Sequence, residues 1–239
     1  MIGFGRPRRH FRLTDSTNER ARELAEGGAP HGTVVTAGEQ TAGRGRGGRA
    51  WAAPPEKALL CSAILRPLDR RHRLLPLAVP LAVCDAVESV APVSCVVKWP
   101  NDVWIDHSKV AGILIEARPP RWAVIGIGVN VSIEPDELPA DLRWPAASVG
   151  HGVTLDATLA TLTEGLGRWV AAPADRVLGA YRERDALRGR GVAWEGGPKG
   201  MESGRGAAAG VDESGDLLVR TEGGELVGLG AGEVSLTLE

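Results

Sequence analysis

Apolar residues are spaced along this chain in two rhythms, short β-branched runs and stretches at helical spacing. "GTVVTAGEQ" (32–40) reads as a strand running into a glycine-rich loop, and "ALLCSAILR" (58–66) as a second, buried strand. A continuous apolar stretch over 74–90 predicts a buried helix whose first turns are disturbed by Pro76 and Pro80. Four more β-like runs follow: "SCVVKW", "DVWID", "KVAGILIEAR" and "WAVIGIGVNV". Pro100-Asn101, His107-Ser108 and Pro119-Pro120 separate them. Leu159, Leu162, Leu166 and Trp169 recur at helical spacing, and a further helix is predicted over 175–187. Near the start, Ser16-Thr17-Asn18-Glu19 fits a capping box. Ala21, Leu24 and Ala25 then share a face until Gly27-Gly28 stops the helix. After about Gly189 the texture changes to short strands divided by Glu-Ser-Gly and Glu-Gly-Gly turns, as in a small β-barrel. A boundary near Arg188 divides a mixed part, 1–188, from an all-β part, 189–239.

Composition narrows the picture. An apolar fraction of 43% supports a sizeable core, and net charge −2 gives no long-range attraction to nucleic acid. Any anion must be bound by a local cluster. Of 28 basic residues, lysines stand only at Lys57, Lys98, Lys109 and Lys199, so the two central ones call for a reason. Cys61, Cys84 and Cys95 lie in apolar runs without metal-ligand spacing and read as buried, reduced thiols. Residues 1–9 contain no apolar leader, and no run reaches membrane-span length. The expectation is a soluble, cytoplasmic protein.

The local cluster is "TAGRGRGGRAW" (41–51), with Arg44, Arg46 and Arg49 among four glycines and no acid. An RNA-binding segment would be repeated and sit in a basic chain, and a P-loop would need a Lys-Ser/Thr pair. A plain solvated loop and a ligand-ordered lid are left. Each glycine costs roughly 0.5–1 kcal/mol more than alanine to order. An anion held by the guanidiniums offsets both that cost and their mutual repulsion. Trp51 offers either a flat face for stacking or an ordinary core side chain.

Five motifs occur in order: "DSTN" (15–18), "EQTAGRGRGGRAW" (39–51), "KWPNDV" (98–103), "KVAGILIE" (109–116) and "GIGVNV" (126–131). "GRGAAAGVDESGDLLV" follows. Over roughly residues 11–238 they resemble the biotin–protein ligases, also called biotin–[acetyl-CoA-carboxylase] ligases. The resemblance implies an α+β fold, a mixed sheet flanked by helices of the class II synthetase-like kind, with a small C-terminal SH3-like β-barrel. It implies an enzyme that uses ATP and biotin as substrates, with Mg²⁺, to form biotinyl-5′-AMP. The biotin then passes to a lysine of a biotin carboxyl carrier protein domain of a carboxylase.

By the same resemblance, biotin is held by Ser16, Thr17, Asn18, Gln40, Arg44, Gly45, Arg46, Lys109, Gly112 and Gly128. ATP is held by Arg46, Arg49, Trp51, Asn101, Lys109 and Asn130. Lys109, Arg44 and Arg46 form the catalytic set, and no metal site built from protein side chains is expected. Asp102 is either a proton acceptor or a turn former. Gly112, Gly126 and Gly128 within strands read as close approach of a ligand to the backbone or as bulges. The first motif begins at Asp15, which leaves no room for the DNA-binding domain of some family members, so no DNA partner is expected. No membrane partner is expected either, while a homodimer fits the family. Glu56-Lys57 stands where a glycine-containing turn is expected. A lipoate–protein ligase of the same fold and a non-catalytic biotin or nucleotide sensor are the alternatives.

Overall fold

Arg8–Thr14 forms strand β1, which the hydrophobic pattern does not single out because only Phe11 and Thr14 are even half-buried. Helix α1 (Thr17–Glu26) follows, then β2 (Val34–Gln40) and β3 (Ala58–Leu65). Helix α2 (Leu75–Val90) leads to β4 (Val96–Lys98), β5 (Asp102–Ile105), β6 (Ser108–Arg118) and β7 (Trp122–Asn130). Helices α3 (Leu155–Val170) and α4 (Ala174–Arg184) precede β8 (Gly191–Glu195), β9 (Gly204–Val211), β10 (Leu217–Thr221), β11 (Leu226–Leu229) and β12 (Ser235–Leu238). This computed structural model describes residues 3–137, 144–195, 203–230 and 235–238.

The first seven strands make one mixed sheet in the order β1-β2-β3-β7-β6-β5-β4, in which β1 pairs parallel with β2 and the other pairs are antiparallel. Its central strands alternate. Leu59, Cys61, Ala63 and Leu65 of β3 and Ala123, Ile125, Ile127 and Val129 of β7 join the main core with α2 and α3. The opposite face carries α1, whose Ala21 and Ala25 pack on Val35, Ile64, Trp122 and Val124. Burying a side chain of this size contributes about 1.5–3 kcal/mol, so the larger core fixes the sheet and leaves the α1 face free to be cut into. Pro76 sits in the first turn of α2, where its missing N–H costs nothing, and Pro80 is accommodated inside. Helix α4 ends before the predicted 187, where Ala186 donates to the Val97 carbonyl and Asp185 accepts from Leu187.

The last five strands form an antiparallel sheet, β11-β10-β9-β8-β12. This is the small all-β part that the turn pattern predicts. Pairing that would close it into a barrel is not found among the described residues. Trp99 Nε1 donates to the Gly215 carbonyl at 3.2 Å, and Leu217 and Val219 share the core of α2. Cys61, Cys84 and Cys95 are buried free thiols, and burial pushes Cys61 up to about 12. No helix among the described residues is long and apolar enough to cross a membrane.

Candidate active site

Two rows of residues crossing the sheet on the α1 face lay the floor of the site. Ser62, Gly126 and Leu114 are register partners in one row, and Leu60, Gly128, Gly112 and Asp102 in the next. The ladders on both sides of β7 are regular, so the glycines are not bulges; they are places where something lies on the backbone. A Cβ on Gly126 would stand 2.7 Å from Asn18 Cγ. A Cβ on Gly112 would stand 2.6 Å from the Trp51 ring, and one on Gly128 would be closer still.

The bulge is elsewhere, and it matters. Trp104 pairs with Lys109 and Val103 with Ala111, so Val110 is the extra residue. Val110 and Ala111 both enter the core, which turns Lys109 onto the face that carries Gly112. Lys109 Nζ then lies 2.7 Å from Asp102 Oδ1 and 5.4 Å from the Trp51 ring centroid.

At one end of the trench is the start of α1. Ser16 occupies the N-cap position, but the expected capping box does not form: Ser16 makes no side-chain cap, and Glu19 turns to Arg22 and Arg44. The free N–H of Thr17 is taken instead by Gln40 Oε1 at 2.7 Å, with Thr17 Oγ1 at 3.0 Å from the same oxygen. Asn18 is buried rather than a cap. Its Nδ2 donates to Glu116 Oε2 at 2.9 Å, and its Oδ1 lies 2.7 Å from Ser62 Oγ.

The arginine loop folds over this floor as a flap. Arg44 bridges to Ala50, Trp51 N donates to the Gly43 carbonyl, and Gly47 and Gly48 hold the tip at φ 62 and 75. The sequence holds no acid in the loop, but the fold brings three. Arg44 pairs with Glu19 at 3.2 Å and Glu116 at 3.1 Å, and Asp102 faces Arg46. Arg46 reaches Asn101 Oδ1 at 3.3 Å, and Asn101 Nδ2 holds the Ile113 carbonyl. Burial, with Arg49 adding, pushes the Arg46 guanidinium below the ordinary arginine range, while Asp102 opposes the shift. Arg49 is exposed and donates to the Arg46 carbonyl.

Ser16, Thr17, Asn18, Gln40, Arg44, Gly45, Arg46, Arg49, Trp51, Asn101, Lys109, Gly112 and Gly128 all line one cavity of about 220 Å³. Asn130 does not line it. Its buried amide donates to the Ala147 carbonyl at 3.1 Å and so ties down the segment that carries Trp144. Trp144 does line the cavity, although no periodicity marked it. It explains Lys98 as well: the buried ammonium lies 4.9 Å from the Trp144 centroid and 5.7 Å from Trp104. Ser62 and Glu116 were also missed, each hidden in an apolar run. Glu56 adopts φ 58, the left-handed backbone that explains why a glycine is expected there.

Asp102 is the acid among the lining residues, and no group of three metal-ligating side chains occurs among the described residues. The cavity thus joins a neutral hydrogen-bonding end to a cationic one. That polarity suits a small acid activated against a phosphate.

Comparison with known proteins places the chain. A family model described as biotin/lipoate A/B protein ligase matches residues 10–131. The bifunctional ligase/repressor BirA of Bacillus subtilis is 39% identical over 146 residues, which is 58% of this chain and 45% of that protein. The alignment thus spans about half of that relative's length. The biotin–[acetyl-CoA-carboxylase] ligase of Mycobacterium tuberculosis is 34% identical over 232 residues, 92% of this chain and 85% of that protein. Among solved structures, the biotin protein ligase from Aquifex aeolicus in complex with biotin and ATP has a TM-score of 0.81 at 29% identity, covering 98% of this chain and 100% of that one. The chain belongs to the biotin/lipoate A/B protein ligase family.

Proposed function

We propose that this chain is an ATP-dependent biotin–protein ligase. The observation that carries the reading is the polarity of the trench, with Thr17 and Gln40 at its neutral end and Lys109 and Arg46 at its cationic end. Biotin has the matching form, an uncharged ureido head and a carboxylate tail. The Aquifex relative was crystallised with biotin and ATP, and we carry both to this site as substrates.

In the first step a biotin carboxylate oxygen attacks the α-phosphorus of ATP. The bond from that phosphorus to the bridging oxygen breaks, pyrophosphate leaves and biotinyl-5′-AMP is formed. The difficulty is electrostatic: two unit charges 4 Å apart repel by about 4 kcal/mol at an effective dielectric near 20. Lys109 and Arg46 are fixed cations aimed into the cavity, and fixed charges stabilise a transition state without reorganising. Mg²⁺ fits as an ion carried mainly by the phosphates, with Asp102 the one lining acid to meet it. When bound, it neutralises phosphate charge. In the second step a lysine amine of a biotin carboxyl carrier domain attacks the anhydride carbonyl, and AMP leaves. We read 1–188 as the ligase part and 189–239 as a small β domain beside it.

Pyrophosphate–ATP exchange tests the proposal. Exchange that requires biotin and ignores lipoate supports it; exchange with lipoate, or none with either acid, overturns it.

A further inference from the structure

Lys98 is the second central lysine, and the adenylation chemistry does not call on it. It ends β4 opposite Asp102 of β5, and register partners share a face of the sheet, so its side chain rises on the trench side. Asp102 lines the cavity, and Lys98 does not. The residue is only 4% exposed, with its ammonium against two indoles. The nitrogen stands 4.9 Å from the Trp144 centroid and 5.7 Å from that of Trp104, and the rings lie 5.5 Å apart at 54°. Both distances are within reach of a cation–π contact, which is strongest where water is excluded. Burying an ammonium is costly, and a methionine would fill much the same space without that cost, so the charge itself is what the position uses.

Trp144 begins a strip of backbone tied to the reacting end of the site. Lys109 N donates to the Pro145 carbonyl at 2.7 Å, and Ala147 N donates to the Lys109 carbonyl at 2.9 Å, a parallel bridge between Lys109 and Ala146. Val149 N donates to the Asn130 carbonyl at 3.0 Å, and the Asn130 amide returns a bond to the Ala147 carbonyl at 3.1 Å. These bonds lay residues 145–149 along β6 and β7 and bring Trp144 beside Lys109. They set the course of the backbone, but a backbone bond does not choose the rotamer of an indole. The ring needs a hold of its own.

We propose that Lys98 is a positioning residue for the nucleotide end of the trench: its ammonium holds the Trp144 ring from behind, so that the ring stands as a fixed wall of the cavity near Asp102 and Lys109. The inference rests on the biotin-ligase reading, in which ATP occupies that end. Lys98 does not reach the cavity, so it acts on ATP through Trp144, which does. Thr17 and Gln40 stand at the other end, where the head of biotin is out of range of the change. The two central lysines thus divide the work. Lys109 meets the reacting charges, and Lys98 keeps the wall in place.

The test uses the full chain in biotin-dependent pyrophosphate exchange with Lys98→Met, Trp144→Leu and the double variant. Methionine keeps an unbranched side chain and removes the charge. Lys98→Met should raise KM for ATP about tenfold, with KM for biotin and kcat each moving less than about threefold. In Trp144→Leu the ring is gone, so adding Lys98→Met should change KM for ATP by less than about twofold. Should Lys98→Met fail to fold, site-specific fluorination of Trp144 decides in its place. Successive fluorines withdraw π density and barely enlarge the ring, so a ring held by a cation loosens stepwise, and KM for ATP should climb about tenfold across the series. A merely structural lysine would lower thermal stability, add its losses to those of Trp144→Leu and leave the fluorine series flat. An ATP KM that ignores Lys98→Met, additive losses or a flat series would each overturn the proposal. Wild-type protein without biotin-dependent exchange would instead strike the underlying ligase reading, so the two failures are distinct.

Discussion

Gly126 and Gly128 are neighbours on one face of β7, and the same substitution should damage them in different ways. In Gly126→Ala the new methyl would stand 2.7 Å from Asn18 Cγ and 2.9 Å from its Nδ2. Ordinary contact begins near 3.4 Å, so Asn18 must retreat by roughly 1 Å, a shift its surroundings resist because cores are close-packed. The retreat breaks its contact with Ser62 and its bond to Glu116, 2.7 and 2.9 Å long. One neutral hydrogen bond and one to a carboxylate sum to about 3 kcal/mol. In Gly128→Ala the methyl would overlap the Trp51 ring, but Trp51 rides on the flap and can lift. No buried hydrogen bond breaks, and alanine recovers about 0.5–1 kcal/mol of strand entropy. Urea unfolding should therefore show Gly126→Ala losing about 3 kcal/mol and Gly128→Ala staying within ~1 kcal/mol of wild type. Trypsin should cut at Arg44, Arg46 or Arg49 faster in Gly128→Ala than in wild type. Equal stability losses, or a stable Gly126→Ala, would refute the division of the floor into a packed row and a flap row.

Lys109→Ala should slow adenylation roughly a thousandfold, since about 4 kcal/mol of charge repulsion is uncovered; single-turnover exchange within tenfold of wild type would remove the residue from the chemistry. Glu56→Gly should raise the melting temperature by ~2 °C, because it relieves left-handed strain at φ 58; a lower melting temperature would show that the Glu56 side chain over Gly38 outweighs its backbone. His31 is held below its usual pKa by burial, with His72 adding, and its Nδ1 accepts from Arg66 N at 3.3 Å. The unfolded chain therefore binds the His31 proton first, and stability should fall as pH drops below about 6.5 until the folded-state value is passed. His31→Asn should flatten that part of the stability curve in urea titrations at several pH values, and an unchanged slope would assign it to another group.

How far the sequence reached depended on whether a residue's partner was near it in the chain. The order of strands and helices from α1 to α4 follows from local periodicity, and every motif that carries the resemblance except "GIGVNV" brought its assigned residues to one cavity. β1 was invisible because an edge strand exposed to solvent has no buried period to display. Trp144, Glu116 and Ser62 were invisible because each acts through residues far along the chain, with Ser62 to Asn18 spanning 44 and Glu116 to Asn18 spanning 98. Lys109 is the most instructive case. Strict alternation along β6 puts it with Ala111 and Ile113, facing the core, where an ammonium would be ruinously unsolvated. Its phase is corrected by one extra residue, Val110, against the partner strand, and no count along β6 alone can reveal a register shift that belongs to the β5–β6 pair. The lysine therefore owes its place to a defect in the ladder two residues before Gly112. Deleting Val110 removes the extra residue and leaves Lys109, Ala111 and Gly112 in plain alternation, so the ammonium should stay on the trench face while one core side chain is lost. Lys109→Ala should do the reverse, taking the site and sparing the core.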